Sequence, residues 1–154
     1  MRNLLVIFFL ILSISTSLGQ NLTTYPKSHY NLKSNLAIQG YDAVAYFTEN
    51  EAQEGSAKIS STYKGVVYHF VSEKNKALFL ANSAKYEPQY GGYCAYAIAS
   101  GDKVKIDPET FKIQDGRLLL FYNFRSTNTL TEWDKDESTF LKDADTEWLK
   151  IIKN

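Results

Sequence analysis

The sequence is that of a small α+β protein, with helices packed on a small antiparallel sheet. Two strand–turn–strand patterns and a helical C-terminus carry this expectation. Residues 58–63 and 66–71 are strand-like runs joined at Lys64-Gly65. Phe111 to Ile113 and Leu118 to Tyr122 flank Asp115-Gly116, the strongest short hairpin signal in the chain. Near the C-terminus, Leu141, Ala144, Trp148 and Ile152 recur every three to four residues, the spacing of one apolar helix face.

In chain order, Arg2 precedes an apolar run at 4–12, and 13–20 turn small and polar, with Ser17 and Gly19 before a cleavage point after Gly19. This three-part pattern is that of a secretory signal peptide over 1–19. The run is short of the about 20 residues that a membrane span needs. The expected product is exported, periplasmic or extracellular, with no membrane span after cleavage. Residues 20–35 are polar and contain Pro26, so they read as an arm or linker, with His29 a solvated residue in it. One domain is expected over 36–154.

Within it, Asp42 is placed to cap or shape a short helical turn that runs through Tyr46 and Phe47. On the second strand, Val67, His69 and Val71 share one face and Val66, Tyr68 and Phe70 the other. Both faces are largely apolar, which favours a core histidine at position 69. Ser72 is the expected N-cap of a helix over 73–81, with Ala77, Leu78 and Ala81 as its apolar stripe. Tyr86, Tyr90, Tyr93 and Tyr96 surround Gly91-Gly92, where a tight bend or close backbone approach is expected. Thr129 and Glu132 have capping-box spacing. No internal repeat is apparent in the sequence.

Lys and Arg number 17 against 17 Asp and Glu. Loss of Arg2 with the leader would leave a charge of about −1 and no basic block, which argues against nucleic acid as a partner. A hydrophobic content of 44% with 14% aromatic residues excludes a disordered chain. Cys94 is the single cysteine, so no disulfide can form within the chain. It is then a buried packing residue, a reactive or metal-binding thiol, or half of an intermolecular bridge.

The segments Gln-Gly-Tyr-Asp-Ala-Val-Ala-Tyr-Phe at 39–47, Tyr-Lys-Gly-Val-Val-Tyr-His-Phe-Val-Ser at 63–72 and Gln-Tyr-Gly-Gly-Tyr-Cys-Ala-Tyr-Ala at 89–97, with Phe79 and Tyr86, resemble a YHS domain. More narrowly, they resemble its exported subfamily built around a Gly-Gly-Tyr-Cys-Ala element. The resemblance runs over about 36–124 and implies transition-metal binding, with copper the candidate ion. The family's cysteine positions would fall on Ala45, Val71 and Asn75, none of which offers a ligand atom of that kind. Cys94 belongs to the subfamily element instead.

Soft Cu(I) prefers thiolate and then imidazole. Cys94 with His69 could bind it two-coordinately, Asp42 could add a carboxylate, and a dimer could pool ligands. One thiol and two histidines are too few for a closed Cys/His zinc site within one chain. Tyr46, Tyr93 and Tyr96 are expected as core or rim aromatics, or as walls of a small-ligand pocket beside Cys94. Three functions follow as expectations: a metal-binding module, a non-catalytic small-ligand or protein interaction domain with a structural Cys94, and a thiol redox protein. The chain has no Ser/His/Asp motif, phosphate-cradling glycine loop or His-Glu-X-X-His helix, and a non-enzyme is expected.

Overall fold

The computed structural model describes residues 26–153. The expected leader, the first part of the expected arm and Asn154 lie outside them. Single 3-10 turns at Lys27–His29 and Ala37–Gly40 lead to α1 (Ala45–Thr48), the hairpin β1 (Ser56–Tyr63) and β2 (Val66–Phe70), α2 (Glu73–Ala81) and α3 (Ser83–Tyr86). A third 3-10 turn, Gln89–Gly92, precedes α4 (Ala95–Ile98) and the hairpin β3 (Asp107–Gln114) and β4 (Arg117–Phe121). The short pair β5 (Asn123–Phe124) and β6 (Thr127–Asn128), then α5 (Thr129–Trp133) and α6 (Glu137–Ile151), complete the order. The fold is a small α+β one, with the strands divided among three two-stranded antiparallel sheets. Both long hairpins close through two residues at positive φ, Lys64-Gly65 (50° and 79°) and Asp115-Gly116 (51° and 71°). That geometry matches the twist of the flanking strands.

The two halves of the chain repeat one unit. Ile38, Gln39 and Gly40 form a left-handed turn with φ of 48°, 56° and 96°, and Tyr90, Gly91 and Gly92 form another at 55°, 61° and 80°. An extended tyrosine follows each, Tyr41 or Tyr93, and after one further residue, Asp42 or Cys94, the chain enters the short segment that leads into α1 or forms α4. The hairpins then pair in the same register. Ser56↔Phe70, Ser60↔His69 and Tyr63↔Val66 in the first match Asp107↔Phe121, Phe111↔Leu120 and Gln114↔Arg117 in the second, 51 positions later, with the same irregularity after the first pair. The expectation of no repeat is thereby corrected. The halves share few identical side chains, because what they share is backbone geometry.

Two apolar clusters form the core: the first draws on both halves, the second on the second half alone. In the first, Phe79 of α2 packs on Tyr68 and Phe70 of β2 at centroid distances of 4.6 and 5.2 Å. Burying each such ring stabilises by about 1.5–3 kcal/mol. The buried face of α2 is therefore Asn75 and Phe79, and the expected stripe is corrected: Ala77 and Ala81 are exposed. Ser72 does cap α2, accepting from Asn75 N. In the second cluster, Trp133 is wholly buried against Phe121 and Phe140, and Ala144 sits at the buried centre of α6. The C-terminal helix is broken: Asn128 caps α5 by accepting from Leu130 N, and Asp136 caps α6 by accepting from Thr139 N. Asn128 replaces Thr129 as the cap because the Thr129 hydroxyl is turned inward to Tyr122 O.

Residues 26–35 are not a free arm. Tyr30 and His29 are buried, Asn31 N donates to Gly91 O, and Asn31 Nδ2 donates to Gly92 O. Gly91 is the residue that permits this approach: a Cβ there would lie 1.8 Å from His29 O.

Candidate functional site

Asp42 and Cys94 occupy matching places in the two halves. Asp42 N donates to Gln53 O, and its carboxylate accepts from Val44 N, Val71 N and Asn75 Nδ2 at 2.8, 2.8 and 2.9 Å. Cys94 N donates to Val104 O, and its sulfur accepts from Tyr122 N at 3.4 Å and meets Thr129 Oγ1 at 3.3 Å. Val71 and Tyr122 are each the first residue beyond the second strand of a hairpin. In each half, then, the side chain after the left-handed turn ties that turn to the end of its hairpin. Both residues are almost completely buried. Val71 N and the Asn75 side-chain amide meet at the Asp42 carboxylate.

His69 lies elsewhere. The core side of β2 is Val66, Tyr68 and Phe70, and His69 is half-buried on the other side. Gly40 and Gly55 pack against it: a Cβ on Gly40 would lie 3.5 Å from His69 Nδ1, and one on Gly55 would lie 2.6 Å from its carbonyl carbon. The expected core histidine is corrected accordingly, because only one face of this two-stranded sheet is covered by α2. The expected solvated residue, His29, is the more buried of the two histidines. Among the described residues no group of three or more His, Cys, Asp or Glu side chains is placed to hold a metal ion.

The three singled-out tyrosines separate as well. Tyr46 is wholly buried, donates to Pro108 O at 2.9 Å and meets Phe111 edge-on. Burial pushes its phenol far above the usual range. Tyr93 is half-buried and holds the N-terminal segment, donating to Tyr30 O at 3.2 Å, with its phenol raised by burial. Tyr96 packs on Phe140 of α6. Each serves packing at a different place.

What the fold does assemble is a cleft of about 210 Å³, lined by His29, Tyr30, Lys64, Glu87, Tyr90 and Trp148, among others. Its aromatic wall comes from three separate segments. Trp148 of α6 stands edge-on to His29 and Tyr90, at 6.4 and 6.1 Å. The left-handed Tyr90 is fixed by donating to Asp145 Oδ1 at 2.8 Å, which Arg117 also contacts at 2.8 Å. Burial, then the Asp145 hydrogen bond, push the Tyr90 phenol well up. Across the cleft, Lys64 and Glu87 form an ion pair at 2.8 Å, both largely buried, and Tyr30 Oη approaches Glu87 at 3.4 Å. Burial pulls the Lys64 ammonium down, but the hydrogen bond to Glu87 and the charge of Glu87 together outweigh it and leave the ammonium raised.

Tyr90 stood out in the sequence through its neighbouring glycines. Lys64 and Glu87 carried no such signal, because a turn lysine and a loop glutamate 23 positions apart meet only through the hairpin. Trp148 read as a core position and is half-buried at the rim. Comparison of the chain with protein-family models, curated proteins and solved structures finds no match. Among the described residues no helix is long and apolar enough to cross a membrane.

Proposed function

We propose that the protein is an exported, non-catalytic binding module of YHS type that takes a small polar ligand with one apolar face, such as a pyranose ring, in the His29–Tyr90–Trp148 cleft. The observation that carries this reading is the convergence of an aromatic wall from three segments on one buried ion pair. Aromatic faces bind the apolar side of a ligand, and a few fixed polar groups set its orientation. The volume is below the about 300 Å³ at which drug-sized pockets begin, which suits a ligand of single-ring size. Cys94 supports the reading by being occupied structurally. A copper ion held by Cys94 and His69 would have to draw the sulfur away from Tyr122 N and Thr129, with Asp42 already saturated by three donors.

Tryptophan emission tests the proposal, because Trp133 is wholly buried and Trp148 lines the cleft. Titration with a panel of monosaccharides is expected to shift emission saturably in the wild type and not in Trp148→Phe. No response to any of them removes the saccharide reading. A Cu(I) competition titration run beside it, with Cys94→Ser, decides the alternative: stoichiometric binding lost in that variant would restore the metal function.

A further inference from the structure

We propose that a second groove, lined from the N-terminal segment by residues 31–33, binds small carboxylate or phosphate anions between Lys33 and Lys105. Its volume is about 340 Å³ and its lining is Asn31, Leu32, Lys33, Gln39, Lys105 and Phe124. Two cations therefore face one concave space, and among the described residues neither forms an ion pair.

Both are positioned in advance. Lys33 and Leu36 exchange backbone hydrogen bonds at 3.2 and 3.0 Å around Ser34 and Asn35, whose φ values of 53° and 67° make a tight turn. That turn fixes the root of the Lys33 side chain. The Lys105 ammonium stands over the Phe124 ring, 4.4 Å from its centroid, and Tyr122 steadies that ring edge-on at 5.0 Å. A cation held by an aromatic face is oriented without being neutralised, so an anion meets a charge whose ordering has already been met by folding. The polar floor is equally fixed: Asn31 donates to Gly92 O at 3.0 Å and Gln39 to Ile106 O at 2.8 Å.

Two further lysines contact the N-terminal segment. Lys27 donates to Asn35 Oδ1 and Lys103 to Ser28 O, both neutral acceptors in the same segment. Among the described residues no carboxylate lines the groove; the acidic groups of β3 are hydrogen-bonded elsewhere, Asp107 accepting from Glu109 N and Thr110 Oγ1 and Glu109 from the Tyr41 hydroxyl. Two lysines thus share one groove where the sequence, with 17 charges of each sign, shows no basic block. Carboxylate and phosphate offer these lysines the same chemistry, charge-assisted hydrogen bonds.

The test is a titration of the purified protein at low ionic strength with inorganic phosphate and, separately, citrate, followed by backbone amide NMR. Saturable shifts confined to residues 31–39 and 104–124 are expected, with affinity at least about tenfold weaker in the Lys33→Ala/Lys105→Ala double variant. Lys85→Ala is the control, because Lys85 also rests over a ring, that of Tyr86 at 5.1 Å, but does not line the groove. Its affinity should match the wild type. A response to one anion alone supports the site and names its ligand class. No saturable shift with either anion, or equal weakening in Lys85→Ala, overturns the proposal.

Discussion

Replacing Asp42 and Cys94 by alanine should have very different costs, although the two residues hold matching places. Asp42→Ala removes the acceptor of three donors. Val44 N and the Asn75 amide are buried, so each is left without a partner at about 1–3 kcal/mol, or about 2–6 kcal/mol together. Val71 is exposed enough for water to take its N–H. Cys94→Ala orphans nothing, since Tyr122 N already donates to Thr129 Oγ1 at 3.1 Å. Its cost is the small void left by one sulfur atom, about 1 kcal/mol by analogy with removal of a single methyl group. Against a typical stability of about 5–15 kcal/mol, the first variant should be visibly compromised and the second nearly normal. Urea unfolding followed by far-UV circular dichroism measures both. Equal losses, or a loss below about 1 kcal/mol for Asp42→Ala, would refute the view that Asp42 is a hydrogen-bonded tie and Cys94 a packing residue.

Gly91→Ala should detach the N-terminal segment, because its Cβ would collide with the backbone of His29 while φ is +61°. Gly65→Ala, at φ +79° with nothing within 4 Å, carries the left-handed strain alone, about 1–2 kcal/mol. Limited proteolysis near residue 30 should therefore accelerate in the first variant and not in the second; equal rates would count against the clash. Burial raises the phenols of Tyr46, Tyr68 and Tyr90 above the unfolded value near 10. Above that pH the folded state holds more protons than the unfolded one, so the stability these groups contribute is complete below about pH 10 and declines as pH rises. Tyrosinate absorbance should then show exposed tyrosines ionising reversibly near pH 10 and the buried ones only with alkaline unfolding. A single reversible step for all 11 tyrosines would contradict this.

Local chemistry was legible in the sequence wherever it acts through neighbours. Lys64-Gly65 and Asp115-Gly116 fix the hairpins because few residue pairs accept two successive positive φ values. Ser72 marks the start of α2 because its hydroxyl reaches a donor three residues on. The spacing of Leu141, Ala144 and Trp148 marks α6 through helical period alone, and Ala144 is its buried centre. Other properties depend on residues far apart in the chain. The repeat is hidden because Ile38-Gln39-Gly40 and Tyr90-Gly91-Gly92 share dihedral angles more than side chains. An aspartate and a cysteine serve the same tie because either can accept an N–H from the end of a hairpin. His29 and His69 exchange their expected environments, since burial is set by what packs over a segment and not by its own polarity. Both clefts are products of that packing: Lys64 reaches Glu87 through the first hairpin, and Lys33 faces the same groove as Lys105 with the N-terminal segment docked on the Gly91 turn.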